Sequence, residues 1–191
     1  MTQERILDQI HHCFSVSFQE SEKVLLKGGF SEPFYLAKNS EGFSEIHYRS
    51  NYPSSALHEI AHWCVAGKEK RKLDDFGYWY EPDGRNEKQQ KRFFEVEARP
   101  QAYEYLLSAA FNLKFQFSID NLNGCFEIPK QFKLEFSHIV ETTINKGNPH
   151  RLGKFLNFIL TEMNDQNTIC LKNLLGKHWK ISKQQLNIED S

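Results

Sequence analysis

Between Gln3 and Glu20 the apolar residues Ile6, Leu7, Ile10, Phe14 and Phe18 fall at three- and four-residue steps, which predicts an amphipathic helix. After Lys27-Gly28-Gly29 the segments "PFYLA" (33–37) and "GFSEIHYRS" (42–50) are short, aromatic and β-branched, and with "KNSEG" between them they predict a hairpin. Pro53, Ser54 and Ser55 offer helix-start chemistry, and the run from Ala56 to Ala66 is unbroken until Gly67, which is placed to close a helix as its C-cap. Residues 68–86 form a long connection with a Pro82-Asp83-Gly84 turn and no sustained period. A second long helix is predicted over 87–110, kinked or divided at Pro100. "SIDNLNGCFEIP" is rich in turn residues, and two amphipathic helices follow at 130–146 and 149–164, separated by "KGNP". The polar tail after about residue 180 is expected to fray, and the chain holds no internal repeat.

Short strands followed by long helices predict a single α+β domain over residues 1–191, a size at which 39% hydrophobic composition supplies one core. Lys and Arg total 24 against 25 Asp and Glu, so bulk charge points to neither nucleic acid nor a membrane surface as partner. The N-terminus lacks the apolar core of a signal peptide and no 18-residue apolar run occurs, from which a soluble cytoplasmic protein is expected. Cys13, Cys64, Cys125 and Cys170 form no CxxC pair and read as reduced, mostly buried thiols.

The chemistry concentrates in "LHEIAHWCVAG" (57–67), which contains His58-Glu59-x-x-His62. Residues four apart share a helix face, so both imidazoles can reach one ion. A third protein ligand is needed. The metzincin continuation would require Gly at 65 and His at 68, where this chain has Val65 and Lys68. Glu95 and Glu97 remain as sources. Helical spacing places Glu97 on a stripe with Phe94, Ala98, Gln101, Ala102, Tyr105, Leu106 and Ala109, and places Glu95 with Lys88, Arg92 and Arg99 on the opposite side. A carboxylate on an apolar stripe is costly unless paired or metal-bound, which makes Glu97 the third ligand. Gln101, one turn on, could orient a ligand or simply bond backbone. The remaining histidines have no partner at ligand spacing.

Two histidines and one carboxylate serve two chemistries: with zinc and Glu59 as general base, peptide hydrolysis; with Fe(II), dioxygen chemistry. A third, non-enzymatic option is a metal-stabilised binding module with a closed coordination shell. "SALHEIAHWCVAGKEKRKLDDFGYWYEPDGR", "FEVEARPQAYEYL" and "FSIDNLNG", running in order from Ser54 to Gly124, resemble the bacterial elongation factor P hydroxylases. The motifs "HWC", "DFGYWY", "PDGR" and "DNL" recur together at matching spacings; Ala98-Arg99 departs from the Val-Lys-like pair expected before Pro100.

The resemblance implies a metallopeptidase-like, zincin-like scaffold. It also implies one Fe(II), molecular oxygen as cosubstrate, and elongation factor P carrying a β-lysylated lysine as protein substrate. It puts His58, His62 and Glu97 on the metal positions and recasts Glu59 as a residue that orders hydrogen bonds or carries a proton. No His-x-Asp triplet is present, so 2-oxoglutarate is not inferred. A substrate ending in amines needs carboxylates and aromatic walls, for which Asp74, Asp75, Phe76, Tyr78, Trp79, Tyr80, Asp83 and Arg85 are candidates, with Asp120 and Asn121 beside them; packing and ordinary turn chemistry are the competing roles. Lys68, Lys70, Arg71 and Lys72 crowd the end of the motif helix, where they either complement its dipole or form a docking patch for an acidic partner.

Overall fold

The computed structural model describes residues 2–77, 85–119, 127–147, 150–163 and 171–188. The chain is mostly helical with one small sheet. In order it forms α1 (Gln3–Phe14), β1 (Val24–Phe30), β2 (Phe34–Leu36), β3 (Ser44–Arg49), α2 (Pro53–Val65), α3 (Glu87–Ala110), α4 (Lys130–Lys146), α5 (His150–Met163) and α6 (Leu171–Gln185). The Thr2 side chain caps α1, and the helix continues through Ser15–Lys23 in the wider π form. Leu7, Ile10, Phe14 and Phe18 are all buried, as their spacing predicted.

The sheet has the order β1-β3-β2, with β1 parallel and β2 antiparallel to β3. The β2–β3 hairpin matches the sequence pattern. β1 does not follow from it, because Lys27-Gly28-Gly29 reads as a break yet lies inside the strand. The glycines are needed there for steric reasons: a Cβ on Gly28 would stand 2.4 Å from the Tyr48 ring, and Gly29 has φ +88°. The register between β1 and β3 is interrupted at that point.

The inner sheet face presents Val24, Leu26, Tyr35, Ile46 and Tyr48 to one core that extends from Leu7 to Ile188. Phe14, Phe18, Trp63 and Phe155 meet at its centre, with the Phe18 and Trp63 ring centroids 4.9 Å apart. α3 packs against α2. It is one continuous helix through Pro100, without the expected junction, and is opened by a capping box between Asn86 and Gln89. Every residue of the predicted stripe from Phe94 to Ala109 is buried, while Lys88, Arg92, Glu95 and Arg99 are exposed.

Several expectations are corrected. α2 ends on Ala66 in an extended conformation rather than on a left-handed Gly67. Its last carbonyls are capped from α5, where Arg151 donates to Cys64 O and Ala66 O. The basic run of Lys68, Lys70, Arg71 and Lys72 follows directly after this cap. Within that run Arg71 pairs with Glu22 at 3.6 Å and Lys72 with Glu69 at 2.7 Å. After residue 180 α6 continues to Gln185, and Trp179, Ser182 and Ile188 are buried, so the described part of the tail is docked. Cys13 and Cys64 are free and buried. No helix among the described residues is long and apolar enough to cross a membrane.

Candidate metal centre

α2 turns His58 and His62 toward α3, and α3 returns Glu97 from its buried stripe. His58 Nε2 and His62 Nε2 are 3.1 Å apart. Glu97 Oε1 lies 3.2 Å from His62 Nε2, and Oε2 lies 3.7 Å from His58 Nε2. One donor atom from each of the three falls within 4.8 Å of the others. The histidine side chains are 24% exposed and that of Glu97 only 6%, so the triad is closed on the carboxylate side and open on the imidazole side.

Electrostatics at this point favour a cation. Burial disfavours the charge on His58, but the Glu104 carboxylate, bonded to it, and the charges of Glu97 and Glu59 outweigh burial and hold its pKa up at about 10. Burial likewise raises Glu97, and the two histidines with the Gln101 amide overcome this and bring it down to about 2. Glu59 is raised, first by burial, and is only partly relieved by the histidines. Three carboxylates thus stand around two imidazoles, and the donor set of two ring nitrogens and a carboxylate oxygen fits a divalent transition-metal ion, with coordination positions left over among the described residues.

Gln101 combines the two roles its position allowed. Its amide nitrogen donates to Ser118 O at 2.8 Å and approaches Glu97 Oε2 at 3.5 Å, while its oxygen accepts from Ser118 N at 3.2 Å. Arg85 and Gln90 both donate to Ile119 O, so residues 118 and 119 are tied down alongside the Glu97 helix.

The structure separates the proposed substrate residues. Asp74 accepts from Ala37 N at 2.8 Å and Asp75 from Tyr35 N at 2.9 Å, so both carboxylates clamp the outer edge of β2. Asp75, Phe76 and Gly77 all take positive φ to make this turn, and Phe76 is buried with its ring stacked on Tyr35 at 4.1 Å. Arg85 is buried over the Phe93 ring and donates to Gln90. These contacts account for Asp74, Asp75, Phe76 and Arg85 as parts of the framework. Tyr78, Trp79, Tyr80, Asp83, Asp120 and Asn121 lie outside the described residues.

One residue escaped the sequence reading. Glu104 is buried and accepts from His58 Nδ1 at 2.8 Å. The available signal was its spacing: Glu97, Gln101 and Glu104 lie at steps of four and three on one face of α3.

Comparison with known proteins agrees with this geometry. The profile of the elongation factor P hydroxylase family matches residues 13–173. The chain is also 46% identical over 149 residues to the elongation factor P lysine hydroxylase of Haemophilus influenzae, an alignment that covers 78% of this chain and 84% of that protein. By both measures the chain belongs to the elongation factor P hydroxylase family.

Proposed function

We propose that this protein is the iron- and dioxygen-dependent hydroxylase of the β-lysylated lysine of elongation factor P, acting in the cytoplasm on a metallopeptidase-like, zincin-like scaffold. The observation that carries the reading is an open two-histidine, one-carboxylate donor set in a chain of this family. A bound ferrous ion would supply the redox chemistry for activating dioxygen, which no side chain provides. In the overall balance one oxygen atom enters a substrate C–H bond and the other leaves as water, using two protons and two electrons from an external reductant.

The protein's own part is to hold and to orient. His58 and His62 through Nε2, and Glu97 through its carboxylate, form the metal seat, and Gln101 holds Glu97 against Ser118. Glu59, its pKa raised by burial, can carry a proton beside the seat without being a ligand. Tyr78, Trp79, Tyr80, Asp83, Asp120 and Asn121 are proposed to receive the cationic side chain of the substrate, with aromatic faces and carboxylates matched to ammonium groups. Elongation factor P is the proposed partner, with no role for nucleic acid or membrane.

The zinc peptidase reading explains the HExxH spacing equally well and is disfavoured by the family match. Intact mass of lysylated elongation factor P decides between them after incubation with anaerobically Fe(II)-loaded protein, a reductant and air, beside a zinc-loaded control. A gain of one oxygen atom with iron and air alone is the expected result. Cleavage of peptides by the zinc form without any gain in mass would overturn it. Glu59→Gln should retain part of the hydroxylation, whereas the same change in a hydrolase would abolish turnover.

A further inference from the structure

His58 uses both ring nitrogens. Nε2 faces His62 and Glu97, while Nδ1 is engaged 2.8 Å away by Glu104 Oε2. Glu104 is 7% exposed, too buried to be an incidental surface partner. Among the described residues its ion-pair partner is His58, so the cost of desolvating this carboxylate is met by an imidazole and not by a lysine or arginine.

That choice of partner has a chemical consequence. An ionised carboxylate only accepts, so Nδ1 must carry the hydrogen, and a neutral ring then has its lone pair on Nε2, the atom turned toward the other two donors. The ring plane is fixed as well, because Glu104 stands on α3, the helix that carries Glu97, and registers His58 against it two turns away.

We propose that Glu104 is a positioning residue of the metal centre, which fixes the tautomer and orientation of His58. This rests on the reading of His58, His62 and Glu97 as a metal seat.

The test is metal affinity of the full-length protein, independent of turnover. Wild type, Glu104→Ala, Glu104→Gln and Glu45→Gln are titrated with Co(II), followed by its visible absorption bands, and with Fe(II) anaerobically against a competing chelator. Glu45 is also buried and bonded to a histidine, but it lies on the sheet and belongs to no metal seat, so it controls for the general effect of losing such a carboxylate. Glu104→Ala should weaken binding about 10- to 100-fold and alter the Co(II) bands. Glu104→Gln, whose amide oxygen still accepts from Nδ1, should fall between it and wild type, and Glu45→Gln should stay near wild type.

Wild-type affinity and spectrum in both Glu104 variants would overturn the proposal, as would an equal loss in Glu45→Gln. If Glu104→Ala does not fold, Glu104→Gln decides: clear weakening supports the role and unchanged affinity overturns it. Failure of the wild type to bind either ion would overturn the metal seat itself, an outcome separate from failure of the Glu104 assignment.

Discussion

Glu45 on the sheet and Glu97 on α3 are both buried glutamates whose pKa is brought down to about 2, and both have a histidine at hydrogen-bond range. Their surroundings differ in charge. Glu45 receives Lys27 Nζ at 2.8 Å, Asn39 Nδ2 at 2.7 Å and His47 Nε2 at 2.8 Å, and His47 is itself stacked on Phe30. That network contains its own cation and is complete. Among the described residues Glu97 has two imidazoles and one amide, and two more carboxylates, Glu59 and Glu104, stand within electrostatic reach of the cluster. Low pKa and a histidine neighbour therefore do not separate a structural carboxylate from a metal ligand. What differs is the kind of partner: a lysine completes the Glu45 network, whereas Glu97 faces two imidazoles whose ring nitrogens can also bind an ion.

The largest expected effect breaks the comparison at its centre. His62→Ala or Glu97→Ala should abolish metal binding and hydroxylation together, measured by metal content and by intact mass of the substrate. Residual hydroxylation at wild-type metal content in Glu97→Ala would sink the ligand assignment. Loading the wild type at about a hundred times Kd should stabilise it by about 2.7 kcal/mol, seen as a rise in Tm that chelation reverses and His62→Ala lacks.

Glu45→Gln should do the converse, costing about 1–2 kcal/mol of stability and leaving metal affinity alone. The effect is modest because the Lys27 side chain is 45% exposed and its attraction is screened. The effect has a pH signature. The folded pKa of Glu45, about 2, lies below its ordinary 4.5, so its contribution is present above pH 4.5 and is lost as pH falls through 2. Chemical denaturation between those limits should show the gap between wild type and Glu45→Gln closing toward acid; a constant gap would remove the ion network from the account.

The smallest effects concern Asp74 and Asp75. As clamps on β2 amides, their replacement by Ala should cost about 0.5–1.5 kcal/mol each and leave the KM for elongation factor P unchanged. A tenfold rise in KM at unaltered stability would return them to the substrate channel.

Much of the candidate metal centre was legible from local spacing. The His58 and His62 pair and the choice of Glu97 over Glu95 required only helix geometry, and the burial of the stripe from Phe94 to Ala109 agrees with it. Glu104 had the same signal but no pattern to attach to until His58 Nδ1 stood beside it. β1 was hidden because Lys27-Gly28-Gly29 has the composition of a turn, and what makes it a strand is the Tyr48 ring lying over Gly28 from another strand. The backbone partners of the two aspartates were hidden for a related reason. A carboxylate suits an ammonium group or a backbone amide equally well, and which one it meets was set by the fold of the 70–77 segment against β2.

By itself, then, the amino-acid sequence determined which side chains share a helix face, and so which could ligate one ion, because helical periodicity acts over a few residues and needs no knowledge of what lies opposite. Only the tertiary structure decided which carboxylates are already spent on lysines and amides and which are left facing imidazoles, because desolvation and ion pairing are settled between segments tens of residues apart.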